Sequence, residues 1–417
     1  MSDGYKGLMD RLLALPSCAL IPLGRTGSDL LQSMFDSHPE VLSFNGHLAF
    51  HSFWKSSFCV TAGSYGTRDL LDEFIGKHIQ RFKSRYDIWE RKNQLGDELD
   101  QSIDIDLDRF RSEAISLLEG REVDPRTFLL TINAAYALCL GQDLEQKRLF
   151  FHHPHIFTEL PSFLQDFPDS KIICMTRDPR ANFVSGIEHH RNYNHLVDTD
   201  NGIHLLFQIN RILNDAVVME QFGRDYRVIR IEDLGREDIL QTLCRWLNIS
   251  YDPCLTRSTW AGLSWHSDRL SKVNREPGFS KAMLENQWEK RLSFTDKYVM
   301  NYVMNPRLKY YGYSHKKIGL IGALVVPFLI LLPLSHELRF LSPIYIKNCI
   351  RKGQRLWIAR NGLNYFRRVW LFLKYYLRVT SSRKFNQPLL RAEPAGLTPT
   401  SRPVAYSETT SRPSGRH

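Results

Sequence analysis

A glycine-bearing turn with one arginine and two hydroxyl residues stands near the N-terminus, in the stretch GRTGSDLLQSMFDSHPEV at residues 24–41. Such a turn before a helix offers backbone N–H groups and the positive helix end to an anion. Arg25 adds a permanent charge with a forked donor, and Thr26 and Ser28 add hydroxyls. The stretch therefore predicts a phosphate site. It lacks the Gly-Lys-Ser/Thr ending that defines the P-loop of ATPases.

A second pair of candidate phosphate ligands lies further along the chain. Arg177 directly follows the apolar run KIICMT, and Ser185 stands eight residues later, about two helical turns into the next element. An Arg at a strand end and a Ser on the following helix can hold a second phosphate at a distance from the first. Plainer roles are an ion pair between Arg177 and Asp178 and a bond from Ser185 to its own helix backbone. Two phosphate sites in one chain indicate a ligand that is held at both ends.

Three short apolar runs must position these residues. CALIPL (18–23) precedes the glycine turn, KIICMT (171–176) precedes Arg177, and YRVIRI (226–231) precedes another helical pattern. Strands that alternate with helices predict an α/β fold with a central parallel sheet flanked by helices. Ligand sites in such folds lie at the carboxyl ends of the strands, so the two phosphate sites are expected to converge there.

The sequence gives no sign of a metal or disulfide framework. The seven cysteines are scattered, odd in number and without a CxxC pair, which suits reduced thiols in a cytosolic compartment. The HHxH cluster at 152–155 has no fourth ligand at plausible spacing. An acidic interval in the mostly helical stretch from about 80 to 147 fits a solvated face better than a metal site. The first residues lack the apolar core of a signal peptide, so we expect the catalytic part on the cytosolic side.

The positive charge is concentrated in one C-terminal segment. Residues 316–384 hold fourteen Lys and Arg and one acidic residue, Glu337, a formal +13; the rest of the tail adds +2, which leaves about −5 for residues 1–315. IGLIGALVVPFLILLPL (318–334) is apolar but slightly short for a membrane span. After this run, Lys and Arg are interleaved with aromatic residues, a pattern that predicts helices in a membrane interface. Basic residues on both sides of the apolar run favour a re-entrant or monotopic insertion. So apolar a segment disfavours nucleic acid as a partner. A buried helix beside a basic surface is the plainer alternative.

These motifs resemble, in order, those of the sulfotransferases that use 3′-phosphoadenosine 5′-phosphosulfate (PAPS). Arg-Thr-Gly-Ser with DSHPEV is similar to the family's 5′-phosphosulfate loop, and FPDSKIICMTRDPRANFVSG to its 3′-phosphate motif. VIRIEDL with LCRWLNISYDP, SKVNREPGFS with NQWEKRL, and YYGY resemble its later strand-helix segment, cofactor-closing loop and domain end. The match covers roughly residues 18 to 313, and the basic C-terminal segment has no counterpart in the core family.

The resemblance implies in-line transfer of a sulfuryl group to a hydroxyl or amine, with 3′,5′-bisphosphoadenosine (PAP) leaving and no metal required. Positioning and charge stabilisation would do most of the catalysis, as in phosphoryl transfer. On the 5′ side the implied ligands are Arg25, Thr26, Gly27 and Ser28, with Arg25 also stabilising the leaving charge. At the 3′-phosphate they are Arg177, Ser185, Lys272 and Arg275.

The general base is less well marked. Carbohydrate-modifying members of the family often have a Glu shortly after the His-Pro that follows the first helix; here the stretch reads HPEVLSFNGHLAFHSFW, with no Glu at the expected place, and His47 is nearest to it. His152 and His153 stand where relatives often have a Lys-Thr-Pro-like segment. Each of the three is a candidate base, and each also fits hydrogen-bonded packing among aromatic residues. The family usually has a hydroxyl at Asp29, whose carboxylate is unfavourable beside a phosphate unless it turns away or caps the helix.

The sequence thus predicts a sulfotransferase domain over residues 1–314, a membrane-associating helical segment over 315–384 and a disordered tail over 385–417. The expected activity is PAPS-dependent sulfuryl transfer to a carbohydrate or glycolipid, by a peripheral or monotopic protein of bacterial type at the cytosolic face of a membrane. Two alternatives stay open: an inactive membrane-bound nucleotide-binding scaffold, and a nucleotide-dependent kinase with a degenerate P-loop.

Overall fold

The structure is a computed structural model, and its described residues contain nine short strands. It describes residues 2–21, 23–44, 46–63, 66–84, 95–154, 157–196, 203–220, 225–266, 276–280, 288–315, 319–380 and 388–392. In these ranges the strands are β1 (Ser17–Ile21), β2 (Val41–Ser43), β3 (Lys83–Ser84), β4 (Ile103–Asp104), β5 (Leu149–His152), β6 (Lys171–Thr176), β7 (Tyr226–Arg230), β8 (Thr259–Trp260) and β9 (Leu263–Ser264).

Helices make up most of the remaining described chain. The N-terminal set is α1 (Ser2–Leu13), α2 (Ser28–Phe35), α3 (Phe50–Ser56), α4 (Phe58–Ala62), α5 (Thr67–Lys77), α6 (Ile79–Phe82), α7 (Leu107–Leu118), α8 (Pro125–Cys139) and α9 (Leu160–Asp166). The C-terminal set is α10 (Pro179–Leu196), α11 (Ile203–Glu220), α12 (Glu237–Leu247), α13 (Trp288–Arg291), α14 (Phe294–Val303), α15 (Asn305–Tyr310), α16 (Leu320–Leu331), α17 (Pro343–Arg351) and α18 (Arg355–Thr380).

The central sheet confirms the predicted α/β architecture. Its five parallel strands lie in the order β2-β5-β1-β6-β7, with β1 in the middle. Ala19 of β1 pairs with His152 on one side and with Ile172 on the other. All five residues of β1 are buried, as expected for a parallel strand covered by helices on both faces. The apolar runs at 18, 171 and 226 correspond to β1, β6 and β7, whereas the sequence analysis did not assign β2 and β5 as strands.

Parallel packing brings the two predicted phosphate segments to one edge of the sheet. β1 leads through the glycine turn into α2, and β6 leads through Arg177 into α10. The carboxyl ends of adjacent parallel strands share an edge, so the turn and the start of α10 are neighbours.

The stretch from about 80 to 147 is mainly helical, with local reasons in the sequence. Asp106 caps α7 by accepting hydrogen bonds from the backbone N–H groups of residues 108 and 109. Asp124 caps α8, and Pro125 occupies its first turn. A small antiparallel pair, β3 with β4, precedes these helices. The described part of this stretch is therefore built mainly on α7 and α8.

The C-terminal segment is helical and packs on the rest of the fold. α16 and α18 contact each other and α14, and α18 also contacts α11. Val326, Ile330 and Phe372 are fully buried there. Inside this packing Arg368 Nη2 donates to Glu337 Oε2 at 2.7 Å, so the one acidic residue of the segment is neutralised in the interior. Among the helices in the described ranges, none has both the length and the apolar character to cross a bilayer.

Part of the predicted tail is ordered against the sheet. The backbone N–H of Val228 in β7 donates to the carbonyl of Pro388, and the N–H of Leu390 donates to the carbonyl of Val228. Leu390 is buried. Order thus extends through residues 388–392, beyond the predicted start of the tail at 385, while 381–387 and 393–417 lie outside the described residues.

Candidate functional site

The glycine turn adopts the conformation that an anion-binding loop requires. Gly24, Arg25 and Gly27 have φ angles of 81°, 54° and 89°. A positive φ is unusual for a residue with a side chain, and such backbone strain is concentrated at functional sites. At Gly27 a Cβ would lie 2.5 Å from Cδ1 of Ile231, so the turn also depends on glycine for its packing. The α2 helix begins at the next residue, with its N-terminus beside the turn.

The turn is joined directly to α10. Arg25 Nε donates to Ser185 Oγ at 3.3 Å. Asn182, one turn earlier on the same helix, donates from Nδ2 to the Gly24 carbonyl at 3.0 Å. Gln208 of α11 in turn donates to the Asn182 carbonyl at 3.0 Å, which fixes the position of that residue. The first and second predicted phosphate sites are therefore parts of one site.

Arg177 lies among charged groups at the end of β6. The carboxylate of Asp178 pairs with Arg180, at 2.6 Å from its Nη2. Burial raises the pKa of the Glu232 carboxyl, and the charge of Arg177 is among the smaller effects that lower it. Tyr313 donates its hydroxyl to Glu232 Oε2 at 2.9 Å, which holds the carboxyl in place. Arg177 thus lies beside a fixed acidic group at the end of β6.

Residues of both predicted phosphate segments line one cleft. Thr26 comes from the glycine turn, Arg177 and Asn182 from the β6–α10 region, and Arg307 from α15. Thr26 is buried, and its Oγ1 has no hydrogen-bond partner within the part of the chain that the structure describes. A buried hydroxyl of this kind beside two arginines suits a phosphate oxygen. Lys272 and Arg275, also predicted ligands, lie outside the described residues.

Asp29 and two of the three candidate bases lie together. Asp29 Oδ1 is 3.8 Å from His47 Nδ1 and 3.9 Å from His153 Nδ1. The centroids of the two imidazole rings are 5.9 Å apart, and the rings are nearly perpendicular. His47 keeps 25% of its side chain exposed and Asp29 30%, whereas His153 keeps 1%. The carboxylate that was out of place beside a phosphate thus faces the histidines.

Gln32 of α2 fixes the orientation of His153. Its Nε2 donates to the carbonyls of Phe44 and Gly46, at 3.0 and 2.8 Å, so its Oε1 is left as the acceptor for Nδ1 of His153 at 2.6 Å. A neutral His153 therefore carries its proton on Nδ1. The sequence analysis missed Gln32. Its position one helical turn after Asp29, on the same face of α2, is the signal that could have identified it.

His152 has a different environment. Its ring stacks on Phe163, with 5.0 Å between centroids, and it is 2% exposed. Burial, followed by the charges of His51 and His153, lowers its pKa well below the usual value. His51 is also buried, and its Nε2 lies 2.9 Å from Asp166 Oδ2. These contacts place His152 in the aromatic packing around α9.

Two structure-wide observations complete the site. Within the described ranges, no group of three or more His, Cys, Asp or Glu side chains is arranged to hold a metal ion. The cleft, the turn and the histidine cluster all lie at the carboxyl edge of β1, β5 and β6. The arrangement can hold an anionic ligand on arginines and amides while an imidazole stands nearby to accept a proton.

Comparison with known proteins gives a family match over this region. The model of a family described as the sulfotransferase family matches residues 19–253. Among solved structures, the sulfotransferase domain of an olefin synthase from Synechococcus PCC 7002 is 16% identical, covering 66% of this chain and 86% of that one, with a TM-score of 0.33. Sulfotransferase STF9 from Mycobacterium avium is 13% identical, covering 61% and 70%, with a TM-score of 0.33. A comparison with curated protein sequences gives no significant match.

Proposed function

The chain belongs to the sulfotransferase family, and on that premise we propose that it transfers a sulfuryl group from PAPS to a hydroxyl or amine of a carbohydrate or glycolipid at a membrane surface. The observation that carries the donor assignment is the hydrogen bond from Arg25 to Ser185, which joins the two segments predicted to bind phosphate, together with the one cleft that residues of both segments line. A donor with phosphates at both its 5′ and 3′ positions fits this arrangement.

Each segment has a distinct task in the proposed reaction. PAPS supplies the activated sulfuryl group, and its 5′-phosphate is the leaving group, which departs as part of PAP. Arg25 and the N–H groups at the start of α2 stabilise negative charge as it builds on the 5′ side, which is the largest catalytic contribution expected in group transfer. Arg177 and Ser185 hold the 3′-phosphate, and Thr26 supplies its buried hydroxyl to a phosphate oxygen. Lys272 and Arg275 remain predicted ligands on the basis of the resemblance.

His47 is the proposed general base. It is more exposed than His153, and it lies within ion-pair distance of Asp29, so it can meet an acceptor while a carboxylate supports its protonated form. His153, already held by Gln32, is the second choice. The stacked and buried His152 is the least suited of the three candidates.

The two alternatives make different predictions. A kinase with a degenerate P-loop would bind ATP in preference to PAP, and it would need a lysine in the first loop that this chain lacks. An inactive scaffold would bind PAP without turnover. The cluster of His47, His153 and Asp29 beside the turn favours an active enzyme over a scaffold.

Calorimetry with PAP tests the donor assignment. Arg25→Ala and Arg177→Ala should each weaken PAP binding by roughly 10- to 100-fold, because a hydrogen bond to a charged group contributes about 1.5–3 kcal/mol. Arg236→Ala is the matched control, since Arg236 is half exposed and pairs with Asp238 away from the cleft. Unchanged PAP affinity in both site variants would overturn the assignment.

The membrane part of the proposal rests on exposed apolar side chains. Of the twenty-one large hydrophobic side chains that are exposed in the described chain, sixteen lie between residues 320 and 377. On α18 the exposed apolar side chains recur at helical spacing and form a stripe of Leu356, Leu363, Phe366, Trp370 and Leu377. The exposed basic residues among and beside them are Arg360, Arg367 and Lys374. So large an apolar surface with cations among it suits an interface with anionic lipids.

Vesicle sedimentation tests this surface. Phe366 and Trp370 are 67% and 72% exposed, so the double variant Phe366→Ser/Trp370→Ser should fold while losing about 1–2 kcal/mol of insertion per side chain. We expect binding to anionic vesicles to fall at least about tenfold. Phe58→Ser is the control, because Phe58 is 78% exposed on α4, outside the segment. Equal vesicle binding by both variants, or self-association instead of lipid binding, would contradict the proposal.

A further inference from the structure

Asp29 and Ser28 are neighbours in the first turn of α2, but they serve different ligands. Ser28 starts the helix beside the anion-binding turn, and the carboxylate of Asp29 lies 3.8 and 3.9 Å from the Nδ1 atoms of His47 and His153. A negative charge in the first turn is favourable for the helix itself. A carboxylate near the donor's phosphates repels them, and this repulsion is offset only if the negative charge stabilises another group.

We propose that Asp29 is a positioning residue for the general base. It keeps the proton of His47 on Nδ1, leaves Nε2 to accept a proton, and stabilises the imidazolium that forms. This inference rests on the proposed sulfuryl transfer, and it identifies the residue that makes the general base effective. A carboxylate that orients an imidazole is a recurrent arrangement in acid–base catalysis.

The step balances as a proton transfer coupled to group transfer. The acceptor O–H bond breaks, and its proton goes to Nε2 of His47. The acceptor oxygen forms the new O–S bond. The bond between sulfur and the 5′-phosphate oxygen breaks, and the electron pair leaves with PAP. The positive charge that results on the imidazole lies beside Asp29, so the carboxylate stabilises the product side of the proton transfer.

The surroundings favour His47 over His153 as the ring on which Asp29 acts. Nδ1 of His153 already lies 2.6 Å from Gln32 Oε1, so its tautomer is fixed without Asp29. The charged and titratable groups known to face His47 are Asp29, His153 and Arg81, whose Nη2 donates to the His47 carbonyl at 3.0 Å. Asp29 is the anion among these groups. The distance of 3.8 Å is compatible with this role, because catalytic hydrogen bonds are often long in structures without substrate.

The test compares Asp29→Asn with the wild type and with Asp108→Asn, an exposed control on α7. We expect PAP affinity and the acceptor KM of Asp29→Asn to stay within about twofold and kcat to fall by about 10- to 100-fold, part of what a general base contributes. The acid limb of the kcat–pH profile should move to lower pH by about one unit, because loss of the carboxylate disfavours the imidazolium. Asp29→Glu should restore part of kcat and the position of the limb.

A double-variant cycle completes the test. If Asp29 acts through His47, then Asp29→Asn should have little further effect on kcat in the His47→Gln background. Additive losses, or a lower kcat with an unmoved acid limb, would assign Asp29 a merely structural role and overturn the inference. If the wild type binds PAP and transfers sulfuryl groups, and Asp29→Asn behaves identically, this inference alone is refuted. A wild type that does neither would refute the proposed function.

Discussion

Replacing Gly27 by alanine tests the shape of the anion-binding turn. At φ 89° an alanine is strained by about 1–2 kcal/mol. Its Cβ would also overlap the Ile231 side chain, at 2.5 Å from Cδ1 and 2.8 Å from Cγ1, and relieving such overpacking costs about 1–3 kcal/mol. We therefore expect Gly27→Ala to lower the free energy of unfolding by roughly 2–5 kcal/mol and to weaken PAP binding tenfold or more.

The two components can be separated in the same series of variants. Ile231→Ala removes Cδ1 and Cγ1, and it costs about 2–5 kcal/mol alone because this side chain is buried. The double variant Gly27→Ala/Ile231→Ala should be less destabilised than the sum of the single variants by about 1–3 kcal/mol, the part due to overlap. Gly120→Ala is the matched control, since Gly120 also has a positive φ, of 69°, but a Cβ there would meet nothing within 4 Å.

Urea unfolding and PAP calorimetry measure this cycle. Gly120→Ala should show the strain alone and bind PAP normally, and the double variant should regain part of the PAP affinity lost in Gly27→Ala. Additivity of the two single variants to within about 0.5 kcal/mol would show that Ile231 does not constrain the turn. PAP affinity in Gly27→Ala equal to that of the wild type would show that the turn does not bind this ligand.

Two further predictions concern buried groups. Burial raises the pKa of Asp36 from 3.8 to about 6, because its effect is larger than that of the hydrogen bonds from Gly262 and Thr259, which lower the pKa. The folded state therefore holds the proton of Asp36 more tightly than the unfolded state does. The stability of the wild type relative to Asp36→Asn should fall by about 3 kcal/mol as pH rises from below 4 through about 6. A flat difference between the two unfolding curves would contradict this assignment. His152→Leu should keep wild-type kcat, because the ring stacks in the aromatic packing; a kcat loss as large as that of His47→Gln would move the base to His152.

Local patterns sufficed for three of the five strands of the central sheet and for the position of the two segments predicted to bind phosphate. β1, β6 and β7 are apolar runs that end at a turn or a cap. Arg25 and Thr26 lie in the turn after β1. Arg177 directly follows β6, and Ser185 lies on the helix after it. The carboxyl-edge rule for parallel strands then predicts that the two segments meet. The contact between Arg25 and Ser185 agrees with that expectation.

The histidine cluster depends on pairings that no local pattern reveals. β2 and β5 are runs of three and four residues, too short for periodicity to distinguish them from other buried segments. Their parallel pairing places the chain after β2 beside the end of β5, and this brings His47 to His153. From the sequence, His47 is therefore the first of three candidate bases, followed by His152 and His153, and Asp29 is a carboxylate where the family usually has a hydroxyl.

The C-terminal segment combines both situations. Its basic charge and apolar composition are visible in the sequence, and they predict a surface for anionic lipids. The packing of this segment is not visible in the sequence. One face of α16 and α18 is buried against α11 and α14 through Val326, Ile330 and Phe372, while the opposite face stays exposed. A helix that is apolar on two faces gives no periodic signal for either one.

Transfer of label from ³⁵S-PAPS to fractionated cellular glycans and lipids tests the central claim most directly. We expect the wild type to label a glycan or glycolipid fraction and to release one PAP per sulfuryl group transferred. Labelling should be lost in Arg25→Ala and kept in Arg236→Ala. PAP release without a labelled acceptor, or consumption of ATP with no use of PAPS, would contradict the account.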